Sequence, residues 1–129
     1  MKKTINVILK VVLSLILIMP VLGTLGIFPE PTPEMYQTKE AYEFIITLMN
    51  TGYTMWLMTI VFAICFVLTI KNKMALVAIL LLPITINIIG FHMFLDGGSF
   101  TAGAIMGNVF FLINIYFLWQ NRNQYKVLI

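Results

Sequence analysis

Apolar residues fall in four long, nearly unbroken runs, and polar residues are confined to the gaps between them and to the two ends. The runs cover about 7–28, with the first continuous from Val11, then 53–70, 74–95 and 100–119. At 1.5 Å of rise per residue each makes a helix of roughly 30 Å, the thickness of a bilayer's hydrocarbon core. None alternates apolar with polar residues as barrel strands must, so the pattern predicts four membrane-spanning helices.

The gaps predict how the helices connect. Lys71-Asn72-Lys73 and Asp96-Gly97-Gly98-Ser99 are tight polar turns, which make the second, third and fourth helices antiparallel neighbours in a bundle. The one long connection opens with Pro29, Pro31 and Pro33, which disfavour helix. Beyond them Ala41, Phe44, Ile45, Leu48 and Met49 recur at helical spacing, with Lys39, Glu40 and Glu43 on other faces, so a short amphipathic helix is expected here. Asn50, Thr51 and Gly52 break that helix before Tyr53 opens the second span. The expected fold class is all-α, a transmembrane, left-handed four-helix bundle forming one domain over 1–129, with the amphipathic helix in a long outward loop.

Charge adds orientation. If the spans alternate, Lys2, Lys3, Lys10, Lys71, Lys73, Arg122 and Lys126 lie on one side; Glu30, Glu34, Glu40, Glu43 and Asp96 lie on the other with Lys39 alone. That is the positive-inside distribution, and it predicts cytoplasmic termini. Tyr53, Trp56, Trp119 and Tyr125 sit at span ends, where interfacial aromatics belong. Composition supports the class: 60% of residues are hydrophobic and 10% charged, and the net charge of +3 is an orientation signal rather than a nucleic-acid one. A competing reading takes the first run as a secretory signal cleaved after Gly23; apolar sequence continuing to Phe28 favours a retained helix.

Little chemistry is available. Cys65 is the only cysteine and His92 the only histidine, so neither a disulfide nor a bis-histidine haem can be built within the chain, and no metal-ligand spacing, phosphate loop or nucleophile elbow occurs. The candidate site is a set of polar residues inside the third span. Thr85, His92 and Asp96 fall within about 40° of one helical direction, and His92 and Asp96, four apart, are spaced to meet. Asn87 points almost the opposite way, beside Gly90, where an amide needs a neighbouring helix. On the fourth span Gly103, Gly107, Asn114 and Asn121 share a stripe that combines a close-approach patch with two amides, and Pro83 interrupts the third helix's hydrogen bonding. These spacings fit helix packing as readily as they fit a site.

The run Pro83-Ile-Thr-Ile-Asn87-Ile-Ile-Gly-Phe91-His92-Met-Phe-Leu95-Asp96, preceded by Asn50-Thr51-Gly52-Tyr53 and followed by a tail rich in Asn, Arg and Tyr, resembles the DoxX-like family of small four-helix membrane proteins. The resemblance extends from about Phe28 to the C-terminus. It implies a multi-pass protein of the bacterial inner membrane, linked to quinone redox chemistry or to partner proteins in oxidative-stress complexes. Family members tend to carry a glutamate and a glycine in the second helix, where this chain reads Phe62-Ala63-Ile64-Cys65-Phe66.

Two functions therefore stand as expectations. In one the chain is a redox-associated, quinone-linked membrane subunit without activity alone, with His92, Asp96 and Asn87 bordering a quinone-sized crevice between the third and fourth helices. In the other it is a non-catalytic scaffold or accessory subunit whose outward loop docks a membrane or outward-facing protein. The bilayer is the one certain partner; a homo-oligomer is compatible with either. A transporter is a weaker third reading, because four short helices enclose a pathway only as an oligomer.

Overall fold

The computed structural model describes residues 1–129 and is all helical. Four long helices dominate: α1 (Lys2–Thr24), α3 (Tyr53–Ile70), α4 (Met74–Phe94) and α5 (Ala102–Gln120); α2 (Lys39–Thr51) lies in the long connection after a single 3-10 turn at Pro33–Met35, and α6 (Arg122–Tyr125) is one terminal turn. All four long helices have the length and hydropathy to cross a membrane. Their outward faces are apolar, as lipid rather than water requires.

α1 packs on α3, α3 on α4 and α4 on α5, whereas α1 and α5 meet only sparsely. The bundle is thus a horseshoe with one loose seam. Its core joins Leu13 and Leu17 of α1, Phe62 and Cys65 of α3, Val77 and Leu81 of α4, and Phe110 and Phe117 of α5. Two ends are distinguished by charge. At the basic end a Lys10–Asn72 hydrogen bond and one from the Tyr125 hydroxyl to the Ala75 carbonyl (2.9 Å) gather the N-terminus, the α3–α4 turn and the tail. At the acidic end the long connection folds back on the α4 terminus.

α1 and α5 differ most from their predicted spans. α1 stops at Thr24, short of Phe28, because the Gly26 and Ile27 amides turn back to the carbonyls of Gly23 and Leu22 (3.0 and 3.2 Å) and close its end. Leu25, Ile27 and Phe28 stay apolar and exposed outside the helix, so hydropathy alone overran its boundary. At the other end α1 extends back to Lys2, beyond the predicted start. α5 begins at Ala102 rather than Phe100, because the Thr101 side chain accepts from the Ala104 amide and caps it. Gly52 alone joins α2 to α3 at φ 74°, a left-handed geometry that explains the glycine between Thr51 and Tyr53. Asn50 and Thr51, expected with Gly52 to break this helix, are instead its last two residues: Asn50 is exposed and the Thr51 hydroxyl donates to the Leu48 carbonyl, so Gly52 alone makes the break.

Candidate functional site

α4 has three polar side chains within its length, Thr85, Asn87 and His92, with Asp96 just past its end, and helical pitch sorts them. Thr85 and Asp96 are buried on the face that meets α5, and His92 is nearly so, its side chain 13% exposed. His92 Nδ1 lies 3.0 Å from Asp96 Oδ2, the contact their four-residue spacing allows. The other Asp96 oxygen accepts from the Gln37 amide at 2.8 Å, and the Thr38 hydroxyl donates to the Leu95 carbonyl. Asp96 therefore does two jobs, orienting the imidazole and fastening the long connection to the end of α4.

Beside that pair, aromatic rings cover the acidic end. Phe91 packs edge-on to Tyr36 with centroids 6.4 Å apart and lies against Phe44 at 5.9 Å and His92 at 5.1 Å. Burial beneath this cluster, and then the nearby Asp96 charge, hold the Tyr36 hydroxyl above the usual tyrosine range.

Gly107 decides where His92 can look. A Cβ at Gly107 would lie 2.8 Å from Ile88 Cγ2 and 3.4 Å from His92 Cδ2, so α4 and α5 are in direct contact there. Gly103 stands beside the same ring, its Cβ position 3.7 Å from His92 Cε1. The predicted crevice between these two helices is closed by that approach. A cleft of about 620 Å³ opens instead at the loose seam between α1 and α5, walled by Leu15, Met19 and Pro20 on one side and Met106 and Phe110 on the other. His92 is the only polar side chain that lines it.

Which nitrogen faces the cleft follows from the bonds already made. With Nδ1 held by Asp96, Nε2 has no protein partner. No buried side-chain nitrogen or oxygen in the chain lacks one, so Nε2 must be reachable from outside. In the neutral ring with its proton on Nδ1, Nε2 is an acceptor; in the protonated ring it is a donor. The cleft thus offers a hydrocarbon surface and a single atom able to take or give a proton.

The remaining predicted residues separate. Asn114 is buried with its amide 3.0 Å from the Thr85 hydroxyl; in the orientation that satisfies both of its ends it donates to the Ala78 carbonyl and accepts from the Leu82 amide, one residue before Pro83. It ties α5 to α4 beside the proline and lies outside the cleft. Pro83 itself is exposed in an unbroken α4. Asn87 does not join the set: it is exposed on the opposite face of α4 and no neighbouring helix accepts its amide. Its 100° per residue offset from the His92 face accounts for this. The Asn121 amide caps the Phe117 carbonyl at 2.8 Å at the end of α5.

Asn6, Thr24, Tyr116 and Gln120 escaped sequence reasoning, whereas Thr59 was expected at a helix contact. Asn6 accepts from the Tyr116 hydroxyl and from the Gln120 amide at 2.9 Å, closing the α1–α5 seam at the basic end and confining the cleft to the acidic half. Thr24 and Thr59, their hydroxyls 2.7 Å apart, fix α1 to α3 at the acidic end. A polar residue in each apolar run was the available signal; which helix it faces is not encoded locally. Comparison of the chain with family models, with curated proteins and with solved structures returns no match.

Proposed function

We propose that this chain is a multi-pass membrane protein of the DoxX-like type that binds a quinone in the cleft between α1 and α5, as the redox-associated subunit of a larger assembly. The family assignment rests on the Pro83 to Asp96 resemblance. The observation that carries the function is the cleft's composition, with the His92 ring as its one polar side chain in a hydrocarbon wall. A quinone pairs an apolar tail with ring oxygens, and a lipid-accessible groove with one hydrogen-bonding atom matches that chemistry better than it matches a hydrated solute.

His92 would handle the proton. Nε2 accepts from the hydroxyl of the reduced ligand and, once protonated, donates to the carbonyl of the oxidised one, while the Asp96 carboxylate 3.0 Å from Nδ1 holds the ring in orientation. Electrons belong to a partner polypeptide in this reading. The excess of Lys and Arg at the basic end supports cytoplasmic termini, with the cleft in the outward half of a bacterial inner membrane.

The test is the lipid extract of protein purified in mild detergent. Wild type should carry quinone, and His92→Ala should lose about tenfold of it at equal recovery, the effect of one hydrogen bond to an ionisable ring. Equal quinone in both proteins, or none in wild type, contradicts the reading.

The fastening of the long connection by Asp96 favours a second reading, a scaffold that presents this loop to a partner protein. Under it, removing residues 31–39 abolishes co-purification of that partner and His92→Ala changes nothing.

A further inference from the structure

α4 presents Leu76, Leu80, Pro83, Asn87, Gly90 and Phe94 along the side turned away from α5, bordered near Asn87, Gly90 and Phe94 by Phe44 of α2; Gly90 is half-buried and the other five are exposed. Their separations run four, three, four, three and four, which is the a/d register of a helix pair. Leucine and phenylalanine facing lipid need no partner, so spacing alone carries nothing.

Asn87 is different. It lies seven residues, about 10 Å, inside the Phe94 end of α4 and thirteen, about 20 Å, from Met74. Its amide has donors and acceptors to satisfy, makes no hydrogen bond within the chain, and sits on a short side chain at hydrocarbon depth. Acyl chains offer nothing to it. A second copy does: related by a two-fold axis along the membrane normal, it places an identical amide at the same depth, and each donates to the other and accepts in return. Copies inserted in one orientation pair α4 with α4 in parallel, and Asn at a single a position is the polar residue that sets register in parallel pairs. The next turn leaves room, since no atom lies within 4 Å of a Cβ position at Gly90.

We infer that α4 is the interface of a symmetric homodimer, registered by reciprocal hydrogen bonds between the two Asn87 side chains. The interface uses the face opposite Thr85 and His92, so it stands independently of any ligand in the cleft.

Subunit counting on full-length protein, reconstituted into bilayers at low protein-to-lipid ratio, tests this. Wild type is expected as a dimer. Asn87→Leu should weaken association about fivefold or more, as loss of an interhelical amide pair does in bilayers, and Asn87→Gln should restore much of it. In a Cys65→Ala background, Phe94→Cys should give oxidised dimers and Leu112→Cys, on the exposed side of α5, should not. Helical circular dichroism of Asn87→Leu should match wild type, because Asn87 bonds to nothing in its own chain. Monomeric wild type, a dimer indifferent to Asn87→Leu, equal cross-linking at 112, or a different protein occupying the α4 face overturns the inference.

Discussion

His92 is a ring whose two nitrogens have different surroundings, one bound to a carboxylate and one open to a hydrocarbon cleft. Asp96 completes the ring's orientation and also accepts from Gln37, so the two functions separate by substitution. Asp96→Asn keeps one acceptor oxygen but turns the other into a donor, so the contacts to the Gln37 amide and to His92 Nδ1 cannot both be kept. Its expected phenotype is retained protein abundance with quinone content reduced toward that of His92→Ala. The buried Asn114 serves cohesion instead. Asn114→Leu should lower stability by about 0.6 kcal/mol, and at most about 1.7 kcal/mol, in denaturant titration of detergent-solubilised protein. Tyr36 supplies a pH signature. Its hydroxyl ionises at a higher pH in the folded chain than in the unfolded one, because it is buried and faces Asp96. The folded state therefore holds that proton more tightly; stability is unaffected below the ordinary tyrosine range and falls as pH rises through it toward the raised value. Protease protection of the long connection should decline over that window in wild type and less so in Tyr36→Phe.

At the scale of elements, glycine placement distinguishes the two faces of α4. Gly107→Ala puts a methyl 2.8 Å from the Ile88 branch, and a β-branched neighbour has little freedom to yield. A loss of about 1–3 kcal/mol is expected from that overpacking, read as a lower midpoint in the same denaturant titration. Gly90→Ala meets no atom within 4 Å and should hold or slightly raise the midpoint, alanine being the better helix former. The existence of four long helices was legible from apolar runs, because a bilayer demands about 20 such residues whatever their packing. Their ends were less so, since Leu25, Ile27 and Phe28 are as apolar outside α1 as the residues within it. The His92–Asp96 contact was legible because it is local to one helix. The cleft was not, because it depends on α1 meeting α5 through Asn6, Tyr116 and Gln120, residues more than a hundred positions apart.

For the whole molecule, horseshoe packing with one loose seam is the feature that opens a cleft beside the His92 ring. α1 is integral to it: Leu13 and Leu17 are buried in the core, and Leu15, Met19 and Pro20 wall the cleft. Intact-mass measurement of the membrane-inserted protein should accordingly find residues 1–24 retained, and an N-terminus at Thr24 would remove both core and cleft. The most direct measurement is photoaffinity labelling in native-like bilayers with a quinone bearing a photoreactive ring, followed by peptide mapping. Saturable label on peptides containing Leu15 to Pro20 and Gly103 to Phe110, suppressed by His92→Ala, is the expected result. Label confined to the lipid face around Asn87, or labelling that neither saturates nor responds to His92→Ala, would contradict it.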